Sequence, residues 1–129
     1  MQELTKYTYV FSKNGEPIAH AKSGEVVKFV TRDCNDGQIQ NEHQFADSID
    51  WNQCNPATGP LYIDGAEPGD VLAVDILNID VDDHGVACTI PGLGPLWPSC
   101  ELRTRRIEIR DGYALFKDVK WPIDPMIGV

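Results

Sequence analysis

Two carboxylates stand where side chains often take part in proton transfer or metal binding, and the first is Asp33. It follows the apolar segment 25–31 and precedes the turn-rich residues 34–37. Because strand ends that lead into loops are frequent places for functional groups, Asp33 is our main candidate for a metal ligand and a catalytic residue. The alternative is local: Asp33 accepts backbone N–H bonds and caps the loop. Gln38 and Asn41 follow closely and are candidates for substrate binding.

The second carboxylate, Glu67, lies in a turn that leads into an apolar strand. Pro68-Gly69 directly after it favours a tight turn, and Asp70 completes the segment. In this position Glu67 can orient a ligand or transfer a proton as a catalytic residue. The alternative for Glu67 is a solvated turn charge. For Asp70 we expect a structural role, in which its carboxylate accepts backbone N–H bonds.

Other kinds of catalytic site are not legible in the sequence. It contains no Gly-x-Ser-x-Gly motif and no pair of histidines at zinc-ligand spacing. Its four cysteines, at positions 34, 54, 88 and 100, form no Cys-x-x-Cys motif. We expect reduced, mostly buried thiols, and the alternative is two disulfides in an oxidising compartment.

The chain is strongly acidic, with 11 Lys and Arg against 20 Asp and Glu and a formal net charge of −9. Since phosphate groups attract Lys and Arg, this charge argues against a nucleic-acid partner and against docking on an anionic membrane. The sequence has no apolar run approaching the roughly 20 residues that span a bilayer. The N-terminus also lacks the basic start and apolar stretch of a signal peptide, so we expect a soluble, cytoplasmic protein.

The candidate residues must be positioned mainly by β-strands. Segment 25–31 is rich in β-branched residues, and segment 71–79 has apolar side chains on both faces, which predicts a strand buried on both sides. Asp111-Gly112 predicts a two-residue hairpin between the strands on either side of it. Asn14-Gly15 predicts a weaker hairpin that joins 7–11 to 18–21. Asp36 is expected as a turn residue before Gly37.

One segment has a helical pattern. Asn41 can cap a short helix through Glu42 in which Phe45 and Ile49 lie four residues apart on one face. The loop 91–98, rich in Pro and Gly, is expected to be irregular and to pack against the core or a partner. With 129 residues the chain has the size of one domain, 1–129. We predict an all-β fold, a β-sandwich or jelly-roll-like domain with one short helix.

A long motif resembles the acetamidase/formamidase family. The family signature is Thr-Gly-Pro, an apolar residue, Tyr or Phe, then Val-Glu-Gly-Ala-Glu-Pro-Gly-Asp-Val-Leu. This chain has, with hardly a difference, Thr58-Gly59-Pro60-Leu61-Tyr62-Ile63-Asp64-Gly65-Ala66-Glu67-Pro68-Gly69-Asp70-Val71-Leu72. Three further pieces agree in order with family motifs: residues 23–33, the Ile90-Pro91-Gly92-Leu93-Gly94 loop, and the final Pro125-Met126-Ile127-Gly128-Val129.

The resemblance implies an enzyme that hydrolyses small linear amides to a carboxylate and ammonia, with a divalent metal, zinc or calcium. It also places Asp33 at an aspartate of a family motif that faces the metal site. Family members are longer, and their later half carries Gly-Gly-Asn-Met-Asp and Gly-Asp-x-His segments that are absent here. We therefore interpret the chain as the N-terminal half of an amidase, inactive alone and completed by its missing C-terminal half or a second polypeptide.

A second hypothesis retains the predicted β-sandwich fold but assigns the chain no catalytic activity. In it the chain is a non-catalytic, oligomeric β-sandwich remnant or a small-ligand-binding module. Under either hypothesis an isolated half exposes apolar surface and strand edges, so we expect a homo-oligomer.

Overall fold

Short β-strands make up nearly all the regular structure of residues 1–127, the part of the chain that this computed structural model describes. The chain divides into two units. Unit one comprises residues 1–38 and 50–72, and unit two comprises residues 39–49 and the chain from Ala73 onward. The all-β class is confirmed, whereas the sandwich arrangement and the single domain stay predictions.

Unit one is held together by three pairs of strands. They are β1 (Gln2–Leu4), β2 (Tyr7–Thr8), β3 (Ala19–Ala21), β4 (Val27–Phe29), β5 (Ala57–Thr58) and β6 (Leu61–Ile63). The pairs β1–β4 and β3–β6 are parallel, and β2–β5 is antiparallel. A 3-10 helix, Trp51–Gln53, precedes β5, and the Asp50 side chain caps it by accepting the N–H of Asn52.

The small core of unit one follows from the alternation of side chains along these strands. Leu4 at the end of β1 and Ala21 at the end of β3 are buried. Their neighbours Glu3 and His20 point to the opposite face and are exposed, as the period of two requires. The N–H of Val30 donates to the Leu4 carbonyl at 2.9 Å and continues the β1–β4 ladder toward the loop that carries Asp33.

Unit two contains one antiparallel sheet of four strands in the order β10-β9-β8-β7. The strands are β7 (His84–Thr89), β8 (Arg103–Arg110), β9 (Tyr113–Phe116) and β10 (Val119–Pro122), and a 3-10 helix covers Trp97–Ser99. Half-buried and exposed side chains alternate along most of β8, so one face of the sheet is partly covered and the other faces solvent. Loop 91–98 is irregular up to that 3-10 helix, as predicted.

The strongest hairpin prediction is confirmed. Arg110 of β8 pairs with Tyr113 of β9 across Asp111 and Gly112. Both turn residues have positive φ, 53° and 77°, which is the conformation that a two-residue turn of this type needs.

The weaker hairpin prediction is wrong. Tyr7 and Thr8 pair with β5, and 19–21 pairs in parallel with β6, so Asn14-Gly15 does not join two paired strands. Gly15 instead closes a local turn by donating its N–H to the Ser12 carbonyl at 3.0 Å.

The predicted helix after Asn41 is also wrong. Two separate turns occur there, with Gln44 N–H on the Asn41 carbonyl and Ser48 N–H on the Phe45 carbonyl. The Ser48 hydroxyl donates to the same Phe45 carbonyl at 2.8 Å and competes with helical bonding. A segment of nine residues is too short for a helix to form on propensity alone, so these local bonds prevail.

The strand predicted at 71–79 finds no partner within residues 1–127. None of its residues joins a strand pair, and most of its apolar side chains are exposed, against the predicted burial on both sides. The sequence has the composition of a central strand, but no strand among the described residues pairs with it. Within the same range, no helix is both long and apolar enough to cross a membrane.

Candidate functional site

The loop after β4 is held by Asp33. Its Oδ1 accepts the N–H of Asn35 at 2.8 Å, and its Oδ2 accepts the N–H of Gly37 at 2.9 Å. The N–H of Asp36 donates to the Asp33 carbonyl at 2.9 Å. Both carboxylate oxygens therefore stabilise the loop, which is the local alternative considered for Asp33. Its roles as a metal ligand and as a catalytic group stay predictions.

This loop places Asp36 in contact with Arg32 and Tyr9, and Tyr7 contacts both of those residues. We call these four residues the Asp36 cluster. The Tyr9 hydroxyl donates to Asp36 Oδ2, and Arg32 Nε lies 2.7 Å from Asp36 Oδ1. Arg32 also donates through Nη1 to the Tyr7 hydroxyl, and its guanidinium carbon lies 4.7 Å from the centre of the Tyr7 ring. The two tyrosine rings meet edge to face with centres 5.7 Å apart.

Asp36 is the buried centre of the cluster, with only 8% of its side chain exposed. Among the described residues its Oδ1 accepts no well-aligned hydrogen bond, so its short contact with Arg32 is an ion pair. That pair compensates the buried charge. The hydrogen bond to the Asp36 carboxylate raises the pKa of Tyr9 above its ordinary value, because a phenolate there would face a second negative charge.

The other members of the cluster are open to solvent. The Arg32 side chain is 42% exposed, and Tyr7 and Tyr9 are also exposed or half-exposed. A guanidinium and neutral phenols are hydrogen-bond donors, so the cluster can bind a carbonyl oxygen or an anionic group of a small ligand.

Gln38 joins the same loop to the segment that precedes β5. Its Nε2 donates to the carbonyls of Asp50 at 3.2 Å and Gln53 at 3.3 Å, and its Oε1 accepts the N–H of Asp50 at 2.8 Å. Both ends of the amide are thus engaged with backbone groups. Gln38 stabilises unit one, and its role in substrate binding stays a prediction.

Asn41 lies in unit two and closes a turn there. Its Oδ1 accepts the N–H of His43 at 2.9 Å, and its Nδ2 donates to Gln44 Oε1 at 3.1 Å. The capping contact predicted for Asn41 is present although the helix is not. Its predicted role in substrate binding is untested by these contacts.

Glu67 and Asp70 form the expected turn before residue 71. The N–H of Glu67 donates to Asp70 Oδ2 at 2.9 Å, and the N–H of Asp70 donates to the Glu67 carbonyl at 3.0 Å. The structural role predicted for Asp70 is confirmed. The Glu67 carboxylate is exposed and makes no hydrogen bond or ion pair within residues 1–127, so it is available for chemistry in the way a catalytic Glu67 requires.

The described part of the chain does not assemble a metal site by itself. It contains no group of three His, Cys, Asp or Glu side chains placed to hold an ion. Asp33 can offer at most one ligand, since both of its oxygens already accept backbone N–H groups. The residues at hand therefore do not fit a complete zinc or calcium site.

None of the four cysteines forms a disulfide, so the two-disulfide alternative is wrong. Their predicted burial is wrong as well, because Cys34 and Cys88 are exposed and Cys54 and Cys100 are half-buried. Cys34, Cys54 and Cys100 lie outside the strands, and Cys88 lies on β7.

The Asp36 cluster was not predicted, although the sequence contains signals for it. Tyr7 and Tyr9 share one face of an alternating segment, and Arg32 and Asp36 are four residues apart. What the sequence could not supply is the antiparallel pairing of β2 with β5, which fixes the tyrosines within unit one.

The comparison with protein families decides the affiliation. The model of the Acetamidase/Formamidase family matches residues 10–118. The chain belongs to this family. Among curated acetamidase/formamidase relatives, the acetamidase of Mycolicibacterium smegmatis is 40% identical over 63 residues, which cover 47% of this chain and 16% of that protein. The formamidase of Methylophilus methylotrophus is 37% identical over 68 residues, covering 51% of this chain and 17% of that protein.

Two solved acetamidase/formamidase structures match nearly every residue of the chain. The acetamidase of Bacillus halodurans has a TM-score of 0.94 and 40% identity, with 100% of this chain and 45% of that chain covered. A predicted acetamidase/formamidase of Thermoanaerobacter tengcongensis has a TM-score of 0.92 and 40% identity, with 99% and 44% covered. The chain thus spans less than half the length of these relatives.

Proposed function

We propose that this chain is the N-terminal part of an amide hydrolase that converts small linear amides to a carboxylate and ammonia. The observation that supports this most is the match of the whole chain to 45% of an acetamidase at a TM-score of 0.94 and 40% identity. The substrate class follows from the names of the relatives, which are acetamidases and formamidases.

Hydrolysis of an amide needs a water molecule activated for attack, stabilisation of the negative charge that develops on the carbonyl oxygen, and a proton for the leaving nitrogen. In our proposal this chain helps to stabilise the charge on the carbonyl oxygen and to deliver the proton to the nitrogen. The rest of the enzyme supplies the remaining groups, including those that activate the water molecule.

Arg32 and Tyr7 are the donors that we assign to the carbonyl oxygen. The guanidinium of Arg32 and the hydroxyl of Tyr7 lie side by side, since Arg32 Nη1 donates to that hydroxyl, and Asp36 holds Arg32 through the 2.7 Å ion pair. Charge-assisted donors aimed at a developing oxyanion lower the barrier because the charge they bind is largest in the transition state. Asp36 and Tyr9 act as positioning residues in this scheme.

Glu67 is the proposed proton carrier. Its carboxylate is exposed and makes no hydrogen bond or ion pair within residues 1–127. Both carboxylate oxygens of Asp33, in contrast, accept backbone N–H groups of its loop. Asp33 keeps a proposed role as a single ligand of a zinc or calcium ion whose other ligands come from the rest of the enzyme. The roles of Arg32, Tyr7 and Glu67 do not depend on that ion.

The proposed partners are a small amide and the remainder of an acetamidase-type polypeptide. Without that polypeptide we expect copies of the chain to associate with one another through their uncovered apolar surface.

The test is ammonia release from formamide and acetamide. The chain is assayed alone and mixed with a polypeptide that corresponds to the unmatched 55% of the Bacillus halodurans acetamidase, that being the part left by the 45% match. We expect hydrolysis only in the mixture. A 1:1 complex that releases no ammonia above a blank would show that the proposed function is wrong.

Variants of the assembled enzyme test the assigned roles. Arg32→Lys replaces a planar fork of donors with a point charge, and we expect kcat to fall about 100-fold. Arg103→Lys is the matched control, since Arg103 pairs with Glu101 on the exposed face of β8. A kcat that is unchanged by Arg32→Lys would remove Arg32 from the mechanism.

A further inference from the structure

We propose that residues 73–79 form the strand through which unit two docks onto the remainder of an acetamidase-type polypeptide. This inference rests on the proposed function, because it requires a second polypeptide, and it adds the place and the mode of docking: backbone pairing with an apolar strand of the partner.

The first argument is the chemistry of the segment. Val74 and Ile76 alternate with Ala73 and Leu77, so that apolar side chains lie on both faces of an extended backbone. Such two-sided apolar segments occur in strands that are covered on both faces. Seven residues give a strand of about 23 Å, an ordinary length for a strand inside a sheet.

The second argument is that the segment is neither paired with another strand nor buried within residues 1–127. The segment belongs to no strand pair, and Val74, Ile76 and Leu77 are 73%, 55% and 72% exposed. Unpaired backbone N–H and C=O groups next to exposed apolar side chains form a template for the addition of another strand.

The third argument is an apolar depression beside the segment, within the same unit. It has a volume of about 540 Å³ and is lined by residues 76–79 together with 125–127. Met126 and Ile127 are exposed there. A strand that pairs with 73–79 therefore has a place for an apolar side chain at the end of the segment.

The identity of the occupant follows from the extent of the structural match. All of this chain superposes on 45% of an acetamidase at a TM-score of 0.94, so its conformation is that of a part within a larger fold. The exposed area points the same way. The chain exposes 10361 Å², whereas even two separate compact bodies of half its mass would expose only about 8,200 Å².

The experiment uses this chain and the polypeptide corresponding to the unmatched part of the Bacillus halodurans acetamidase. Hydrogen–deuterium exchange is measured for the chain alone and in the mixture. We expect the amides of 73–79 to exchange rapidly in the chain alone and to be protected in the complex, since paired amides are shielded from solvent.

Matched variants test the same surface by affinity. Val74→Lys is compared with Val10→Lys, because both valines are 73% exposed in this structure. We expect Val74→Lys to weaken the complex about tenfold or more, the factor associated with burying one such side chain, and Val10→Lys to leave it unchanged.

Proline variants separate backbone pairing from side-chain burial. Successive N–H groups of a strand point to opposite edges, so Ile76→Pro and Leu77→Pro each remove a donor from a different edge. We expect at least one of them to weaken the complex. Circular dichroism of each variant alone checks that the chain is otherwise folded.

The outcomes distinguish the docking surface from the proposed function. A complex that hydrolyses amides while 73–79 still exchange rapidly would overturn the docking surface only. Two polypeptides that fail to associate would overturn both. Protection of 73–79 that rises with the concentration of the chain alone, and that an excess of the complementary polypeptide does not displace, would show a second copy as the occupant and would overturn the proposal.

Discussion

At the scale of single residues, the carboxylate that the sequence favoured differs from the one that the structure places at the centre of a cluster. The sequence favours Asp33 as a functional residue because it follows a strand, and in the structure Asp33 lies at the start of the loop. Its side chain is engaged with backbone N–H groups, whereas Asp36, expected only as a turn residue, is buried against Arg32 and Tyr9. Sequence position predicts where a loop begins, but it does not predict which carboxylate turns inward.

The Tyr9 hydroxyl offers a direct test of the cluster. Its raised pKa means that it keeps its proton at an alkaline pH at which a tyrosine of ordinary pKa loses its own. Absorbance at alkaline pH should therefore show one tyrosine that titrates late, and Tyr9→Phe should remove that late component. Tyr62→Phe is the control and should leave the late component in place.

The sign of the accompanying change in stability follows from proton linkage. Above the ordinary tyrosine pKa of about 10, the unfolded chain loses the Tyr9 proton while the folded chain keeps it. The free energy of unfolding should therefore fall as the pH rises above that value, and less so in Tyr9→Phe. An identical alkaline decline in both proteins would contradict the Tyr9–Asp36 hydrogen bond.

Asp33 can be tested for its loop role separately from its proposed metal role. Asp33→Ala removes the acceptors of two backbone N–H groups and should lower the free energy of unfolding by about 1–2 kcal/mol, as for other capping side chains. Asp33→Asn keeps one acceptor oxygen and should cost less. Denaturant unfolding measures both, and equal stability of Asp33→Ala and the unaltered chain would show that the loop does not depend on this side chain.

At the scale of elements, predictions succeeded where local chemistry decides the structure. Asp111-Gly112 fixes a hairpin because both residues accept positive φ, and no distant residue is needed. The pairs β1–β4, β2–β5 and β3–β6 join segments far apart in sequence, two of them in parallel, and an alternating pattern does not say which distant strand is the partner. The helix predicted after Asn41 is absent because local side-chain hydrogen bonds formed turns there instead. In this segment the local bonds, and not a distant partner, decided the structure.

The hairpin allows a test with a control in the same sheet. Gly112 has a φ of +77°, so Gly112→Ala should lower the free energy of unfolding by about 1–2 kcal/mol. Gly85 on β7 has ordinary φ and open space around its α-carbon, and Gly85→Ala should cost nothing. Thermal unfolding of both variants gives the comparison, and equal midpoints would mean that the turn is not as described.

At the scale of the whole molecule, the sequence predicted the family, and it also favoured the interpretation that the chain is part of a longer enzyme. The motif 58–72 identified the family, and the family match over residues 10–118 confirms it. The strand pattern of 71–79 predicted burial that residues 1–127 do not provide. This agrees with the proposal that the covering elements belong to the rest of the enzyme.

Self-association should follow from that uncovered surface. We expect sedimentation of the chain alone to show species larger than a monomer, in proportions that rise with concentration. Addition of the complementary acetamidase polypeptide should convert them to a 1:1 complex. A monomer at every concentration would contradict the expectation.

The most direct measurement is a titration of activity. The complementary polypeptide is held at a fixed concentration, this chain is added stepwise, and ammonia release from formamide and acetamide is recorded at each ratio. We predict a rate that rises in proportion to the added chain and levels off at one chain per partner. A rate that stays at the level of the partner alone, although the two polypeptides bind, would contradict the proposal that this chain supplies part of an amidase active site.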